Sequence, residues 1–100
     1  MRAHGSTTLT SGIVSSRPMA NWSARTSILG AIEALTRALA IELAAIRVNA
    51  VAPGVLRTPM WNDLTDSDRN ELYESIAHKV PVRRVGEATD VTKTYLYLMQ

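Results

Sequence analysis

Residues 23–54, SARTSILGAIEALTRALAIELAAIRVNAVAPG, contain the pattern that decides the fold. Ala, Leu and Ile recur at steps of three and four residues without a Pro, which predicts a helix over residues 23–45. The β-branched run that follows predicts a strand over residues 46–52, bounded by Pro53–Gly54. A long helix that leads directly into such a strand is typical of an α/β fold.

The predicted helix carries few polar side chains. Thr26, Glu33 and Arg37 form a narrow stripe, and nearly every other position is apolar. A helix of this kind must be covered on two sides, one of which a sheet of the same chain can supply. The second side needs another element. Asn21 or Ser23 is the predicted N-cap.

A first strand precedes the helix. Residues 6–10, STTLT, are rich in β-formers and stop at the turn residues Ser11–Gly12, so a strand is predicted over residues 6–11. Two strands joined by a long helix form a β-α-β unit with parallel strands. Ligands of open parallel sheets bind beyond the carboxyl ends of the strands. The exits at Ser11–Gly12 and Pro53–Gly54 are therefore expected to face the same crevice.

The second half of the chain predicts a loop and two further helices. Pro59 makes residues 55–64 irregular, residues 65–79 read as an amphipathic helix, and residues 89–99 begin another helix. Thr65 or Ser67 is the predicted cap of the first of these helices. Its predicted inward residues are Leu72, Ile76 and Val80.

Composition excludes several classes of function. The 100 residues suffice for one small domain or a piece of a larger one, and the absence of Cys excludes disulfides and thiolate metal sites and fits a cytoplasmic protein. The net charge is only +2 and the Arg residues are scattered, so nucleic acid is not an expected partner. Charged residues interrupt the apolar run, and the start lacks the apolar region of a signal peptide, so no membrane partner is expected. His4 and His78 are isolated, and no metal site is predicted.

Two spaced motifs resemble the short-chain dehydrogenase/reductase family. The L-A-x-E-L-A pattern lies at residues 39–44, and R-V-N-x-V-x-P-G at residues 47–54 is followed by Thr58. An R-x-G-E…D-V pattern follows at residues 84–91, with Ala88 where the family usually has Pro. The resemblance runs from about residue 8 onward. It implies an α/β fold, namely the C-terminal portion of a Rossmann-type doubly wound parallel sheet.

In that fold the chain corresponds to a strand-helix-strand unit followed by two helices. The resemblance implies a single partial Rossmann-like domain over residues 1–100, in which residues 55–64 are the substrate loop. No G-x-G-x-x-G-like run is present, because the glycines stand at positions 5, 12, 30, 54 and 86. The phosphate-binding loop of the family is therefore not expected among these residues.

The catalytic pair of the family is Tyr-x-x-x-Lys at the start of the long helix, with a Ser at the end of the preceding strand. Residues at i and i+4 share one helical face, so the Lys ammonium can lower the pKa of the Tyr hydroxyl and make it a proton donor. In this sequence the two positions fall on Arg25 and Leu29. Arg25 either replaces the lost cation or is solvated, and it cannot act as a base because it stays protonated. Ser11 takes the Ser position as a candidate catalytic residue, and the alternative is a turn serine.

The resemblance also implies a nicotinamide site. Pro53, Gly54, Val55 and Thr58 match the segment that approaches the nicotinamide ring, and the alternative is a structural Pro–Gly turn. NAD or NADP is the implied cofactor, and the substrate is an unidentified small molecule. The implied function is an NAD(P)-dependent oxidoreductase that is catalytically impaired or inactive as this chain.

Two alternatives remain open at this point. One is a non-catalytic interaction module that forms a homo-oligomer through the helix over residues 23–45. The other is a truncated, decayed gene product.

Overall fold

The computed structural model describes residues 4–100. Residue contacts divide the chain into two units, whereas the sequence predicts a single partial domain. Unit 1 runs through Gly54 and includes Lys93–Gln100, and unit 2 is Val55–Thr92. The helices and strands in chain order are β1 (Ser6–Thr10), α1 (Ser23–Glu42), β2 (Arg47–Val51), β3 (Leu56–Arg57), α2 (Asp66–Lys79), β4 (Gly86–Glu87) and α3 (Ala88–Met99).

Unit 1 is built on two parallel strands joined by a long helix. β1 pairs with β2 in parallel from Ser6 opposite Arg47 to Thr10 opposite Val51. Neighbouring strand residues point to opposite faces. Thr10 Oγ1 lies 2.6 Å from the Tyr95 hydroxyl of α3, and Ser11 Oγ lies 3.2 Å from a carbonyl of α1. Helices therefore contact both faces of the sheet, and the predicted α/β class with parallel strands is confirmed.

The ends of α1 differ from the predicted ones. The N-cap is Trp22, which makes no side-chain cap hydrogen bond, and neither Asn21 nor Ser23 serves as the cap. Asn21 has φ 68°, so the chain enters the helix through a left-handed residue. The helix ends at Glu42 rather than at residue 45, because its C-cap Leu43 has φ −99° and ψ 29°, outside the helical range. Ala45, in the turn that follows, has φ 80° and is left-handed.

The apolar surface of α1 is only partly covered. Its half-buried positions include Leu29, Ile32, Thr36 and Leu39, which recur at helical spacing on one side. Thr26 and Glu33 of the predicted polar stripe are also half-buried, and only Arg37 is exposed. Another side of the helix is apolar and exposed in the described part of the chain. Its residues are Ala24, Ile28, Ala31, Leu35 and Ala38. No element within residues 4–100 covers this side of the helix.

Unit 2 has its own sheet and its own core. β3 pairs with β4 in parallel, Leu56 opposite Gly86 and Arg57 opposite Glu87. Both strands have two residues, too few to produce a periodic pattern, which is why the sequence predicts only loops in these regions. A short 3-10 helix, Pro59–Trp61, follows β3. The buried side chains in this unit are Trp61, Tyr73 and Val85.

The start of α2 follows its prediction. The Thr65 hydroxyl accepts a hydrogen bond from the Asp68 amide over 3.1 Å, so the predicted cap is confirmed. The residues predicted to point inward, Leu72, Ile76 and Val80, are half-buried, whereas the most buried residue of the helix is Tyr73, with 7% of its surface exposed. Every helix in residues 4–100 is too short or too polar to cross a lipid bilayer.

Candidate functional site

The carboxyl ends of β1 and β2 lie side by side. Beyond the last strand residues, the Ser11 amide donates to the Val51 carbonyl over 2.8 Å, and the Ile13 amide donates to the Pro53 carbonyl over 3.0 Å. The ladder therefore extends past both strands and brings Ser11 and Pro53 to the same sheet end, as the parallel pairing predicts. In open parallel sheets this end is where ligands bind.

Ser11 is buried at this position, with 6% of its surface exposed. Its hydroxyl donates to the main-chain carbonyl of Leu29 over 3.2 Å. This hydrogen bond from a buried hydroxyl to a helix carbonyl joins the end of β1 to α1. The same bond leaves only the acceptor lone pairs of the hydroxyl for a substrate.

Leu29, at the position of the family's Lys, packs against the turn after β1. A Cβ placed on Gly12 would stand 2.9 Å from Leu29 Cδ1. This distance is shorter than ordinary van der Waals contact, so a side chain at residue 12 would require the Leu29 methyl group to move aside. The space at the strand exit is thus filled by an apolar group, where the resemblance would place an ammonium.

Arg25, at the position of the family's Tyr, is exposed and stacks on a neighbouring ring. Its guanidinium carbon lies 4.7 Å from the centroid of the Trp22 ring. This distance is that of a cation–π contact. The contact holds the guanidinium against the entrance of α1.

Pro53 and Gly54 follow β2 at the end of unit 1. Gly54 is exposed, and a Cβ added to it would meet no atom within 4 Å. Its φ is not positive, so neither backbone strain nor a close protein neighbour requires Gly here. The open space suits the close approach of a flat ligand to the main chain.

Val55 and Thr58 lie at the start of unit 2. Thr58 has an extended backbone at φ −141° and ψ 164°, and it precedes the 3-10 helix Pro59–Trp61. Its carbonyl accepts a hydrogen bond from the Trp61 amide over 3.3 Å, while its side chain makes no cap hydrogen bond. Its hydroxyl is therefore not used to cap the helix that follows.

Arg57, next to Thr58, contacts two other elements of unit 2, a role that the sequence analysis did not assign. Its guanidinium lies 4.4 Å from the centroid of the Tyr73 ring, and its Nε lies 3.3 Å from Glu87 Oε1. One signal in the sequence could have located Tyr73, since it lies between the inward positions Leu72 and Ile76. No local signal identifies the pairing of Arg57 with Glu87, thirty positions apart in sequence.

The R-x-G-E…D-V motif at residues 84–91 forms a charged cap at the start of α3. Asp90 Oδ2 accepts from Arg84 Nη1 over 2.8 Å and from the Glu87 amide over 2.7 Å. Arg84 Nη2 donates to Asp90 Oδ1 over 3.2 Å, which makes the pair bidentate. The hydrogen bond from Arg84 and then that from the Glu87 amide lower the pKa of Asp90 to about 2. The same bond raises the pKa of Arg84.

Two further observations concern metal ligands and the Trp61 ring. Within residues 4–100 no group of three or more His, Asp or Glu side chains is arranged to hold a metal ion. Trp61 is buried and its Nε1 donates to the Leu56 carbonyl over 2.9 Å, so this ring belongs to the core of unit 2.

Comparison with known proteins identifies the family of this chain. The sequence model of a family described as Enoyl-(Acyl carrier protein) reductase matches residues 1–100. The short-chain dehydrogenase/reductase malC of Malbranchea aurantiaca is 35% identical over 93 residues, which cover 93% of this chain and 35% of that protein. The chain belongs to the short-chain dehydrogenase/reductase family. The predicted family relationship is thereby confirmed.

Solved structures of the family share the fold. A small-chain dehydrogenase crystallised in complex with NADPH matches with a TM-score of 0.96 and 42% identity, covering 100% of this chain and 46% of that one. The MalC reductase/Diels-Alderase of Malbranchea aurantiaca matches with a TM-score of 0.90 and 33% identity, covering 99% of this chain and 38% of that one. The chain thus spans 35% and 37% of the length of two curated relatives, malC and ucsE of Acremonium sp.

Proposed function

We propose that this short-chain dehydrogenase/reductase chain contributes a nicotinamide site to an NAD(P)-dependent oxidoreductase fold. The observation that carries the proposal is its match over its whole length, at a TM-score of 0.96, to a dehydrogenase crystallised with NADPH. Pro53, Gly54, Val55 and Thr58 are the residues assigned to the nicotinamide. Their spacing along the chain supports the assignment, as does the open space at Gly54.

The residues fit the group that they would hold. A Gly with no neighbour at its Cβ position lets a flat ring approach the main chain, and the Thr58 hydroxyl has a donor and acceptors suited to a carboxamide. The bound cofactor would supply hydride transfer. The role of these four residues is to bind and orient the ring.

The same proposal assigns little or no proton-transfer activity to the centre around Ser11. The Ser11 hydroxyl donates to the Leu29 carbonyl, and the positions of the family's Tyr and Lys hold Arg25 and Leu29. None of these groups can donate a proton near neutral pH as a Tyr with a lowered pKa does. The chain is therefore proposed to bind the cofactor and to be catalytically impaired.

A fluorescence titration with NADPH tests the nicotinamide site by comparing the wild type with two variants, Gly54→Ala and Gly30→Ala. Gly54→Ala adds a methyl group that meets no protein atom within 4 Å, so the fold is expected to be unchanged. Binding of NADPH should weaken by about tenfold or more if the ring approaches Gly54, since one misplaced contact of 1.4 kcal/mol gives this factor. Gly30→Ala, also without a neighbour within 4 Å, is the matched control and should leave the affinity unchanged. Equal affinities for all three proteins, or no binding by any of them, would refute the proposed site.

A second candidate function is self-association through α1. The open side of this helix carries Ile28 and Leu35, which are 62% and 48% exposed, with three Ala residues between and around them. Small residues allow a second helix to approach closely, and an apolar patch of this kind is typical of an interaction site. We therefore propose that two copies pair through this side of α1.

Sedimentation velocity over a range of protein concentrations tests this pairing. Leu35→Asp places a charge on the apolar side and should raise the dimer Kd by at least about tenfold. Arg37→Ala, elsewhere on the same helix, changes the net charge by the same amount and should leave the Kd unchanged. A wild-type chain that is monomeric at all concentrations would exclude pairing.

The substrate proposed for this fold is a small molecule, and the proposed location is the cytoplasm, which the absence of Cys favours.

A further inference from the structure

Thr58, one of the residues assigned to the nicotinamide, lies on a segment with little main-chain support. β3 consists of Leu56 and Arg57, and it pairs with a β4 of equal length. Thr58 follows directly, at the start of a three-residue 3-10 helix. A two-residue ladder is too short to hold a segment in one conformation by itself. Side-chain contacts must therefore fix the position of this segment.

Leu56 supplies part of that support on one side of the strand. Its carbonyl accepts the hydrogen bond of Trp61 Nε1 over 2.9 Å. A Cβ on Gly86 would stand 2.7 Å from Leu56 Cδ2, so the Leu56 side chain packs directly over Gly86 of β4. These contacts anchor the residue before Arg57 and leave the end of the strand, next to Thr58, to be held by Arg57.

Arg57 makes two contacts with different elements. Its guanidinium stacks at 4.4 Å on Tyr73 of α2, a ring that is only 7% exposed and therefore firmly placed. Its Nε lies 3.3 Å from Glu87 Oε1 on β4, the residue opposite it in the ladder. The side chains of Arg57 and Glu87 are about half exposed, so their ion pair alone contributes little. The planar guanidinium combines this pair with the ring contact, which an ammonium group cannot do as well.

We propose that Arg57 is a positioning residue that holds Thr58 in place for the nicotinamide through its contacts with Tyr73 and Glu87. The inference rests on the proposed function, because it assigns Thr58 to the cofactor. Arg57 itself is not assigned a contact with the ring. Its effect on the cofactor is transmitted through one peptide bond to the neighbouring residue.

Two measurements on variants of Arg57 test this role. The first is the Kd for NADPH from fluorescence titration, and the second is the hydrogen-exchange rate of the Trp61 and Asn62 amides. These amides bond to the Thr58 and Pro59 carbonyls at 3.3 and 3.0 Å, so their exchange reports the order of the segment directly. Arg57→Met should weaken NADPH binding and speed the exchange of both amides, each by about tenfold. Arg57→Lys keeps the charge but loses the planar stacking, and it should lie between Arg57→Met and the wild type in both readouts.

Controls separate this inference from the proposed function. Arg69→Met removes another Arg of unit 2 that forms an ion pair, with Asp66, and should change neither readout. Thr58→Ala should weaken NADPH binding without speeding amide exchange.

Each outcome decides between the two claims. If Thr58→Ala weakens NADPH binding but Arg57→Met changes neither readout, the role of Arg57 is refuted and the nicotinamide site stands. If the wild type does not bind NADPH, the proposed function fails, and unchanged exchange in Arg57→Met would then refute the ordering role as well. Faster exchange in Arg57→Met in that case would keep Arg57 as an ordering residue and remove its link to the cofactor.

Discussion

The Ser11 hydroxyl donates a hydrogen bond to the main-chain carbonyl of Leu29 over 3.2 Å, and this bond joins the end of β1 to the first turns of α1. The sequence motifs predict that these two residues correspond to the catalytic Ser and Lys of the short-chain dehydrogenase/reductase family. In this chain they are joined by a structural contact between a strand and a helix. The contact is therefore expected to contribute to the stability of unit 1.

Ser11→Ala is expected to destabilise the chain. Removing a donor from a buried bond to a carbonyl should lower the free energy of unfolding by about 1 kcal/mol. Urea denaturation followed by circular dichroism measures the change. Ser16→Ala is the control, because the Ser16 hydroxyl bonds at 3.4 Å in an exposed position and should matter little. A Ser11→Ala variant as stable as the wild type would contradict a structural role for this hydroxyl.

Gly12→Ala is expected to destabilise through overpacking against Leu29. The new methyl group would stand 2.9 Å from Leu29 Cδ1, and because this terminal methyl group can move aside, the cost is expected to be about 1 kcal/mol. In a Leu29→Val background the cost should fall by at least about 0.5 kcal/mol, because residues in contact are not additive. Denaturation of the four proteins of this double-mutant cycle measures the coupling. Strict additivity would show that the two side chains do not meet.

Ala45→Gly is expected to stabilise the chain. Ala45 has φ 80°, a left-handed conformation that costs an L-residue with a Cβ about 1 kcal/mol more than it costs Gly. A thermal melt should show a raised Tm. Ala40→Gly within α1 is the opposite control, since Gly in a helix interior lowers stability by about 1 kcal/mol. If both substitutions lower the Tm, the turn after α1 is not left-handed at residue 45.

Asp90 is expected to make stability depend on pH in the acid range. The pKa of this carboxyl is lowered to about 2 in the folded chain, below its ordinary 3.8, by Arg84 and by the Glu87 amide. A lowered pKa stabilises the folded state above the ordinary pKa, and the contribution is lost as pH falls through 3.8 toward about 2.

Urea midpoints between pH 5 and pH 2 test this dependence, with Asp90→Asn as the comparison. The wild type should lose more stability than the variant over this window, and the two curves should converge at the acid end. Arg84→Met should flatten the same curve, since Arg84 is the largest cause of the shift. Parallel curves for the wild type and Asp90→Asn would contradict the lowered pKa.

Periodic patterns allowed the larger elements to be predicted from the sequence. The spacing of Ala, Leu and Ile predicts α1, and the β-branched run before Pro53–Gly54 predicts β2. These elements were predictable because the repeat of apolar side chains in a helix or strand of this length lies within one continuous segment of the sequence. The start of α2 at Thr65 was predictable for the same reason, since a cap and its partner amide lie three residues apart.

The candidate site was predictable only as far as its motifs extend. Ser11, Pro53, Gly54, Val55 and Thr58 follow from the resemblance, as do the substitutions at the Tyr and Lys positions. That Ser11 bonds to Leu29 could not be predicted, since the two residues are eighteen positions apart and meet only when α1 packs on the sheet. The pairing of Arg57 with Tyr73 and Glu87 depends in the same way on contacts between distant segments.

The sequence by itself determined the α/β class, the order of the long elements and the family. Only the tertiary structure decided which side of α1 stays open, where the two-residue strands pair, and that Ala45 ends the turn in a left-handed conformation. The physical reason is the range of the interactions. Periodicity and capping act within a few residues, whereas burial, strand register and the partners of a side chain are set by segments that are far apart in the chain.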